Sequence, residues 1–277
     1  MTLDRKIDAA IKLLQSIPTD DGPIEVCYSG GKDSDVILEL AKMSGINYRA
    51  IYKNTTIDPR GTIQHVREMG VEVVQPKENF LSIVGRKGMP SRFNRFCCAI
   101  LKEYAILPRA IVGIRRSESA KRAKFYKEPE TCRVYSNKSK VRQYLPILEW
   151  SNEDVAEFIK RRNIKCAPVY YDEDGKFDVN RRLGCIGCPL ASKNIRRKGF
   201  LDNPKMLLAM VKAFQDYYNK KIVNGTTTST MEVCGGNAWV FFYATLFYDS
   251  VAEFKDKCTN LLFDFDIEAY MKNYFKI

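Results

Sequence analysis

Ser29-Gly30-Gly31-Lys32-Asp33-Ser34 follows the apolar run Ile24-Glu25-Val26-Cys27-Tyr28 and precedes Asp35-Val36-Ile37-Leu38-Glu39-Leu40-Ala41. The order is strand, glycine-rich turn, helix, the arrangement that builds a phosphate cradle. Two glycines let the backbone approach an anion closely, and a helix start aims N–H groups and the positive end of its dipole at it. Lys32 adds a point charge, and the hydroxyls of Ser29 and Ser34 add donors. The spacing is not that of the G-x-x-x-x-G-K-S/T loop of ordinary nucleotide triphosphatases.

Elements on either side of the turn extend the pattern. Leu3, Ile7, Ala10, Ile11 and Leu14 repeat at helical spacing and stop at Pro18 and the cluster of residues 19–22. Residues 48–52 predict a second strand, 61–69 a helix, 71–74 a third strand and 110–114 a fourth. Strands alternating with helices predict an α/β fold, a parallel twisted sheet with helices on both faces. Ligands of such sheets bind beyond the carboxyl ends of the strands, where the turn lies. Ser151 caps a helix with acids in its first turn, running to about Arg162. Beyond Cys188, residues 204–220 predict a long helix and 225–230 a polar loop, and the aromatic-rich remainder predicts further helices. The expected organisation is a nucleotide-binding domain over 1–192, with a helical C-terminal extension over 193–277 packed on it.

Composition bounds the compartment and the chemistry. The 277 residues are 45% hydrophobic and 28% charged, as in a soluble globular protein. No apolar run reaches membrane-spanning length, and residues 1–6 lack a signal-peptide core, so the cytoplasm is the expected compartment. Nine cysteines there do not predict a disulfide framework. Cys27, Cys132, Cys166 and Cys258 read as structural, whereas Cys97-Cys98 and Cys185-x-x-Cys188 are clustered. One histidine, His65, is too few for Ser-His-Asp triads, H-E-x-x-H zinc sites or Cys2His2 fingers.

The net charge of +12 is confined to one segment. Residues 85–145 hold sixteen Lys or Arg and four acids, so the rest of the chain is electrically balanced. A solvated face is the plain reading of such a block. Its confinement argues for an anionic partner.

Four cysteines in two pairs are enough for a tetrahedral zinc or for a [4Fe–4S] cluster. Adjacent cysteines suit the spacing of irons on a cubane better than the usual zinc knuckle, yet composition leaves the metal undecided. Ser29 to Ser34 resembles the PP-loop of the N-type ATP pyrophosphatase superfamily, which binds the pyrophosphate of an adenine nucleotide. Cys97-Cys98-Ala99-Ile100-Leu101-Lys102 resembles the CC-x3-K motif of the iron–sulfur sulfonucleotide (APS/PAPS) reductases, and Gly184-Cys185-Ile186-Gly187-Cys188-Pro189 resembles their second cysteine pair. Residues 113–122, Gly-Ile-Arg-Arg-Ser-Glu-Ser-Ala-Lys-Arg, are similar to their G-I/L-R-x-x-x-S-x-x-R segment. Residues 146–155 and 169–172 resemble their P-L-x-x-W-x-x-x-D-V segment and tyrosine-bearing loop.

This resemblance covers roughly residues 20–192 and implies several roles. Cys97, Cys98, Cys185 and Cys188 would hold [4Fe–4S], and Lys102 would lie between cluster and nucleotide. Ser29, Gly30, Gly31, Lys32, Asp33 and Ser34 would hold ATP or adenylylated sulfate, with Mg2+. Arg115, Arg116 and Arg122 would contact phosphate or sulfate, a role suited to bidentate guanidinium geometry. Asn54 and Asp58 would belong to the adenosine-side loop, a simple Asp-Pro turn being the alternative. Lys102 and Asp33 are the catalytic candidates. The reductases carry a nucleophilic cysteine in a C-terminal E-C-G-x-H tail, whereas this sequence ends Tyr270-Met271-Lys272-Asn273-Tyr274-Phe275-Lys276-Ile277. The nearest echo is Glu232-Val233-Cys234-Gly235-Gly236, where Cys234 is either a nucleophile or a buried structural thiol.

Three functions remain open on these residues. The first is ATP-dependent sulfur transfer to a nucleic acid, of the thiolation or phosphorothioation type. The second is a sulfonucleotide reductase releasing sulfite through Cys234 or a partner's thiol. The third is a non-catalytic nucleotide- or nucleic-acid-binding module. The first expects residues 85–145 to contact nucleic acid, with Tyr126, Tyr135 and Tyr144 stacking on bases. The competing partner for that segment is an electron- or sulfur-donor protein docking near the cluster.

Overall fold

The computed structural model describes residues 1–19, 22–135, 139–258 and 265–277. Lys138, part of the 19–22 cluster and the Cys258 side chain lie outside them. In chain order the elements are α1 (Leu3–Gln15), β1 (Ile24–Tyr28), α2 (Lys32–Ser44), β2 (Tyr48–Lys53), α3 (Thr62–Glu68), β3 (Glu72–Val74) and α4 (Phe80–Lys87). Then come α5 (Phe96–Leu101), β4 (Arg109–Ile111), α6 (Ala120–Phe125), β5 (Glu130–Val134), β6 (Lys140–Tyr144) and α7 (Asn152–Arg161). The remainder holds α8 (Lys193–Asp202), α9 (Pro204–Val223), α10 (Ser229–Val233), α11 (Ala238–Phe247), α12 (Val251–Cys258) and α13 (Ile267–Phe275).

The strands make one twisted α/β sheet in the order β3-β2-β1-β4-β6-β5. Every neighbouring pair is parallel except β5 with β6. β1 is central, with β2 on one side and β4 on the other, so the direction of winding reverses at its carboxyl end. The SGGKDS turn leaves the sheet at that point.

Two compact units share the chain: residues 1–54, 60–76 and 98–183 form the first, and 55–59, 77–97 and 184–277 the second. In the first, the pleat of β1 sends Ile24, Val26 and Tyr28 into a core with Leu14 of α1, Ile37 and Leu40 of α2, and Phe158 of α7. Ser151 caps α7 in a capping box, its side chain accepting from Asp154 N–H while Asp154 accepts from Ser151 N–H. In the second unit, α9 turns Leu207, Met210, Phe214 and Tyr218 inward. Phe200 meets Phe242 and Phe275 edge-on, each 6.2 Å between centroids. The aromatic-rich C-terminal stretch is helical as expected. The polar loop is shorter than predicted, because the Thr228 side chain accepts from Met231 N–H and starts α10 at Ser229.

The basic segment, whose plain reading is a solvated face, is built into the sheet. It contains β5 and β6, which extend the sheet beyond β4, and β5 runs antiparallel at the edge. Val141, Gln143 and Tyr144 of β6 are buried, whereas β5 shows partial and full exposure in alternation, a half-solvated edge strand. Among the described residues no helix is long and apolar enough to cross a membrane.

Candidate functional site

β1 ends at Tyr28, and two glycines then turn the chain into α2. Gly30 has φ +75°, and a Cβ there would meet Thr62 Cγ2 at 3.0 Å, so the turn requires glycine. The Ser34 hydroxyl donates to the Gly31 carbonyl at 2.6 Å, and the Ser29 and Ser34 hydroxyl oxygens lie 3.2 Å apart. Gly113, just past β4, abuts the turn so closely that a Cβ would sit 2.9 Å from the Asp33 carbonyl oxygen.

A cavity of about 430 Å³ opens on this turn within the first unit. Ser29, Gly31, Lys32, Asp33 and Ser34 line it, together with Lys102 and Arg122. Lys32 is only 5% exposed; its ammonium lies 5.3 Å from the Tyr170 ring centroid and 3.4 Å from the Asp33 carboxylate. Burial lowers its pKa below the ordinary lysine value, Asp33 opposing and Arg115 and Arg182 assisting. Arg122 lines the mouth while paired with Glu118. Sequence reasoning missed Glu25 and Lys53 as lining residues; Arg182 lines the cavity as well. Arg182 donates from Nη2 to the Glu118 carbonyl at 3.2 Å.

Behind the turn, Tyr28, Asp35 and His65 form a buried network. Tyr28 Oη bonds to the Asp35 carboxylate and lies 3.0 Å from His65 Nε2, which is 2.9 Å from Asp35 Oδ1. Burial raises the Asp35 carboxyl above its ordinary value, with the His65 and Tyr28 bonds pulling the other way. The network ties α2 to α3 and fixes the first turn of α2.

The other expected nucleotide contacts are engaged with the protein itself. Arg115 is 1% exposed and spent on bracing: Nε donates to Asp33 Oδ1 at 2.7 Å, Nη1 to Ser117 Oγ at 2.9 Å and Nη2 to Asn152 Oδ1 at 3.0 Å. Arg116 donates to the Tyr126 and Lys127 carbonyls and pairs with Glu149. Neither lines the cavity; both hold the chain that carries the site. Asn54 is buried, its amide donating to Gln75 Oε1 at 2.8 Å. Asp58 sits in the second unit, where its Oδ1 is 3.7 Å from Cys185 Sγ.

Cys97 and Cys98 lie on α5, and Cys185 and Cys188 share a turn in which Cys188 N–H donates to the Cys185 carbonyl at 3.2 Å. Gly187 permits that turn at φ +70°, where a Cβ would meet Phe200 Cζ at 2.7 Å. None of the four is in a disulfide, and all are half-buried. Cys98 belongs to the first unit and the other three to the second. Among the described residues no three His, Cys, Asp or Glu side chains are gathered as a metal centre. As a donor set, four unbridged, partly exposed thiols fit the thiolate ligation of an iron–sulfur cluster.

Cys234 is buried, 2% exposed. Burial pushes its thiol up to about 11, the Tyr218 hydroxyl acting the other way. A thiol so placed is neutral near pH 7 and is not an activated nucleophile, which corrects its candidacy as the catalytic cysteine. Its raised folded-state value means that its contribution to stability is present below the ordinary thiol pKa and is lost as pH rises through about 11. We expect iodoacetamide at pH 8 to label Cys234 only after denaturation. Rapid labelling of the native protein, located by peptide mass mapping, would reinstate it.

The basic segment is partly self-neutralised. Arg86, Arg133 and Arg142 pair with Glu78, Glu103 and Glu130, and Arg109 is buried against the Pro18 and Gly22 carbonyls. Tyr135 and Tyr144 are buried and are not available to stack on bases, a second correction.

The sequence comparison matches this architecture. Residues 23–191 match the phosphoadenosine phosphosulfate reductase domain, and the chain belongs to that family. An uncharacterized protein of Methanocaldococcus jannaschii is 29% identical over 181 residues, 61% of this chain and 42% of that protein. An uncharacterized 37.8 kDa protein of Escherichia phage 186 is 30% identical over 139 residues, 45% of this chain and 39% of that protein. The chain thus spans about two fifths of the length of these curated relatives. Among solved structures, FMN adenylyltransferase of Candida glabrata is similar with a TM-score of 0.44 at 17% identity, covering 61% of this chain and 58% of that one.

Proposed function

We infer that this chain is an adenine-nucleotide-dependent iron–sulfur enzyme that transfers sulfur to a nucleic acid. The observation that carries the reading is the cavity, which Lys32, Asp33, Lys102 and Arg122 line around the glycine turn, while Cys234 is buried. Residues 1–192 act as the nucleotide-binding domain and 193–277 as its helical extension. The glycine turn and the start of α2 hold a pyrophosphate, Lys32 neutralises it, and Ser29 and Ser34 donate to its oxygens. Asp33, held by Lys32 and Arg115, is placed to orient Mg2+ or an attacking group. Lys102 and Arg122 receive the charge that develops at the mouth. Cys97, Cys98, Cys185 and Cys188 hold [4Fe–4S], which when bound supplies electrons or a site for sulfur.

Nucleic acid is the favoured acceptor because the basic segment keeps exposed cations such as Arg95, Lys121, Lys124 and Lys140 beyond those spent on acids. A cytoplasmic location accords with this chemistry. The family match favours a second reading, reduction of an adenylylated sulfate with the thiol supplied by a partner protein.

Anaerobically purified protein is expected to be brown with about four irons per chain. Given ATP, a sulfur donor and tRNA or short DNA, it should release pyrophosphate only when the nucleic acid is present and leave sulfur on it, detected by mass spectrometry. Sulfite release from adenylylated sulfate with thioredoxin, without nucleic-acid-dependent turnover, would replace the first reading with the second. Stoichiometric zinc without iron would remove the cluster.

A further inference from the structure

The cavity has a second half that the phosphate cradle does not use. Ile24, Val26 and Tyr28 face the main core, so Glu25 and Cys27 stand on the opposite face of β1. Cys27 pairs in register with Ile51 of β2, which puts Ile51 and Lys53 beside them on that face. These four side chains, with Ile106 and Val112, also line the cavity. Ser29 is four steps along the chain from Glu25, about 13 Å along an extended strand. That span suits a nucleotide with its phosphates on the glycine turn and its base at Glu25.

Among these residues stands one buried ion pair, with the Cys27 thiol donating to Glu25 Oε1 at 3.6 Å. Glu25 is 1% exposed; its Oε1 lies 3.3 Å from Lys53 Nζ and its Oε2 accepts from Leu107 N–H at 2.9 Å. Lys53 Nζ also lies 5.4 Å from the Tyr104 ring centroid. Burying both charges carries a desolvation cost that their mutual attraction does little more than offset, and aliphatic residues of similar volume would hold a sheet face at least as well. Glu25 presents only acceptors and Lys53 only donors. An amino group beside an unprotonated ring nitrogen, the edge of a 6-aminopurine, complements that pair.

We propose that Glu25 and Lys53 read the base edge of the bound nucleotide. Glu25 accepts from the exocyclic amino group and Lys53 donates to the adjacent ring nitrogen, while Cys27, Ile51, Ile106 and Val112 flank the ring. A 6-oxopurine turns a carbonyl oxygen toward the Glu25 carboxylate and loses this match. The inference rests on the nucleotide-binding reading above and adds specificity to it.

Calorimetry with ATP and ITP separates the two. Wild-type protein is expected to bind ITP about ten- to a hundredfold more weakly than ATP, the effect of losing a hydrogen bond to a charged group. Glu25→Gln, whose amide can donate to the 6-carbonyl, relieves that mismatch while the N1–H of hypoxanthine still faces Lys53, and should narrow the ATP-to-ITP ratio by at least about threefold. Lys53→Met should weaken both ligands. The ATP-to-ITP ratio on one preparation does not depend on its folded fraction, so partial destabilisation of a variant does not disguise the result. Equal wild-type affinities, or an unchanged ratio in Glu25→Gln, would overturn the base-reading role and leave nucleotide binding intact. Absence of wild-type binding to either nucleotide would overturn both.

Discussion

Replacing Lys32 with alanine is expected to weaken ATP binding by one to two orders of magnitude. Lys32 is largely buried at the start of α2, held between the Tyr170 ring and the Asp33 carboxylate, so little side-chain freedom is lost when it meets a phosphate. A charge-assisted contact of this kind contributes roughly 1.5–3 kcal/mol. Asp33 keeps Arg115 in the variant, so the turn retains its shape. Burial has already lowered the Lys32 pKa, and affinity should therefore decline on alkaline titration at lower pH than for an exposed lysine. Calorimetry of both proteins across pH measures this, and an unchanged dissociation constant for Lys32→Ala would remove Lys32 from the phosphate site.

Arg115→Leu should instead cost stability, about 3–5 kcal/mol, with or without nucleotide. Its guanidinium is buried and divided among Asp33, Ser117, Asn152 and the Trp150 carbonyl. Removing it leaves the Asp33 carboxylate without its closest counter-charge and two polar side chains without a donor, the situation in which breaking a buried pair is most damaging. Denaturant melts of nucleotide-free protein supply the measurement. A variant that melts like wild type yet binds ATP poorly would return Arg115 to the direct phosphate contacts that the motif resemblance implied.

Lys32 and Arg115 mark how far the sequence carried. The cradle was legible because a strand, two glycines and a helix start constrain the backbone locally, and no tertiary information was needed to place Ser29 to Ser34. The parallel sheet followed from strict alternation of elements. The bracing contacts of Arg115 were not legible, because a motif fixes residue identity and not the direction of the side chain, which here turns toward Asp33 and Asn152. Residues 130–144 were hidden by their charges: Arg133 and Arg142 sit on outer strands and pair with acids, a pattern that in sequence is indistinguishable from a solvated run. Glu25 and Lys53 left no signal, since each is an ordinary polar residue until β1 and β2 bring them to one face of the sheet.

The single histidine has a practical consequence. His65 is 2% exposed and its ring touches both Tyr28, the last residue of β1, and Asp35 in the first turn of α2. A protein with one imidazole gives one set of ring resonances, assigned without mutagenesis. Nitrogen-15 shifts of that ring therefore serve as a built-in spectroscopic reporter from directly beneath the glycine turn. Ligands that occupy the turn and adjust α2 will move those resonances, and ligands that bind only at distant surfaces will leave them where they are.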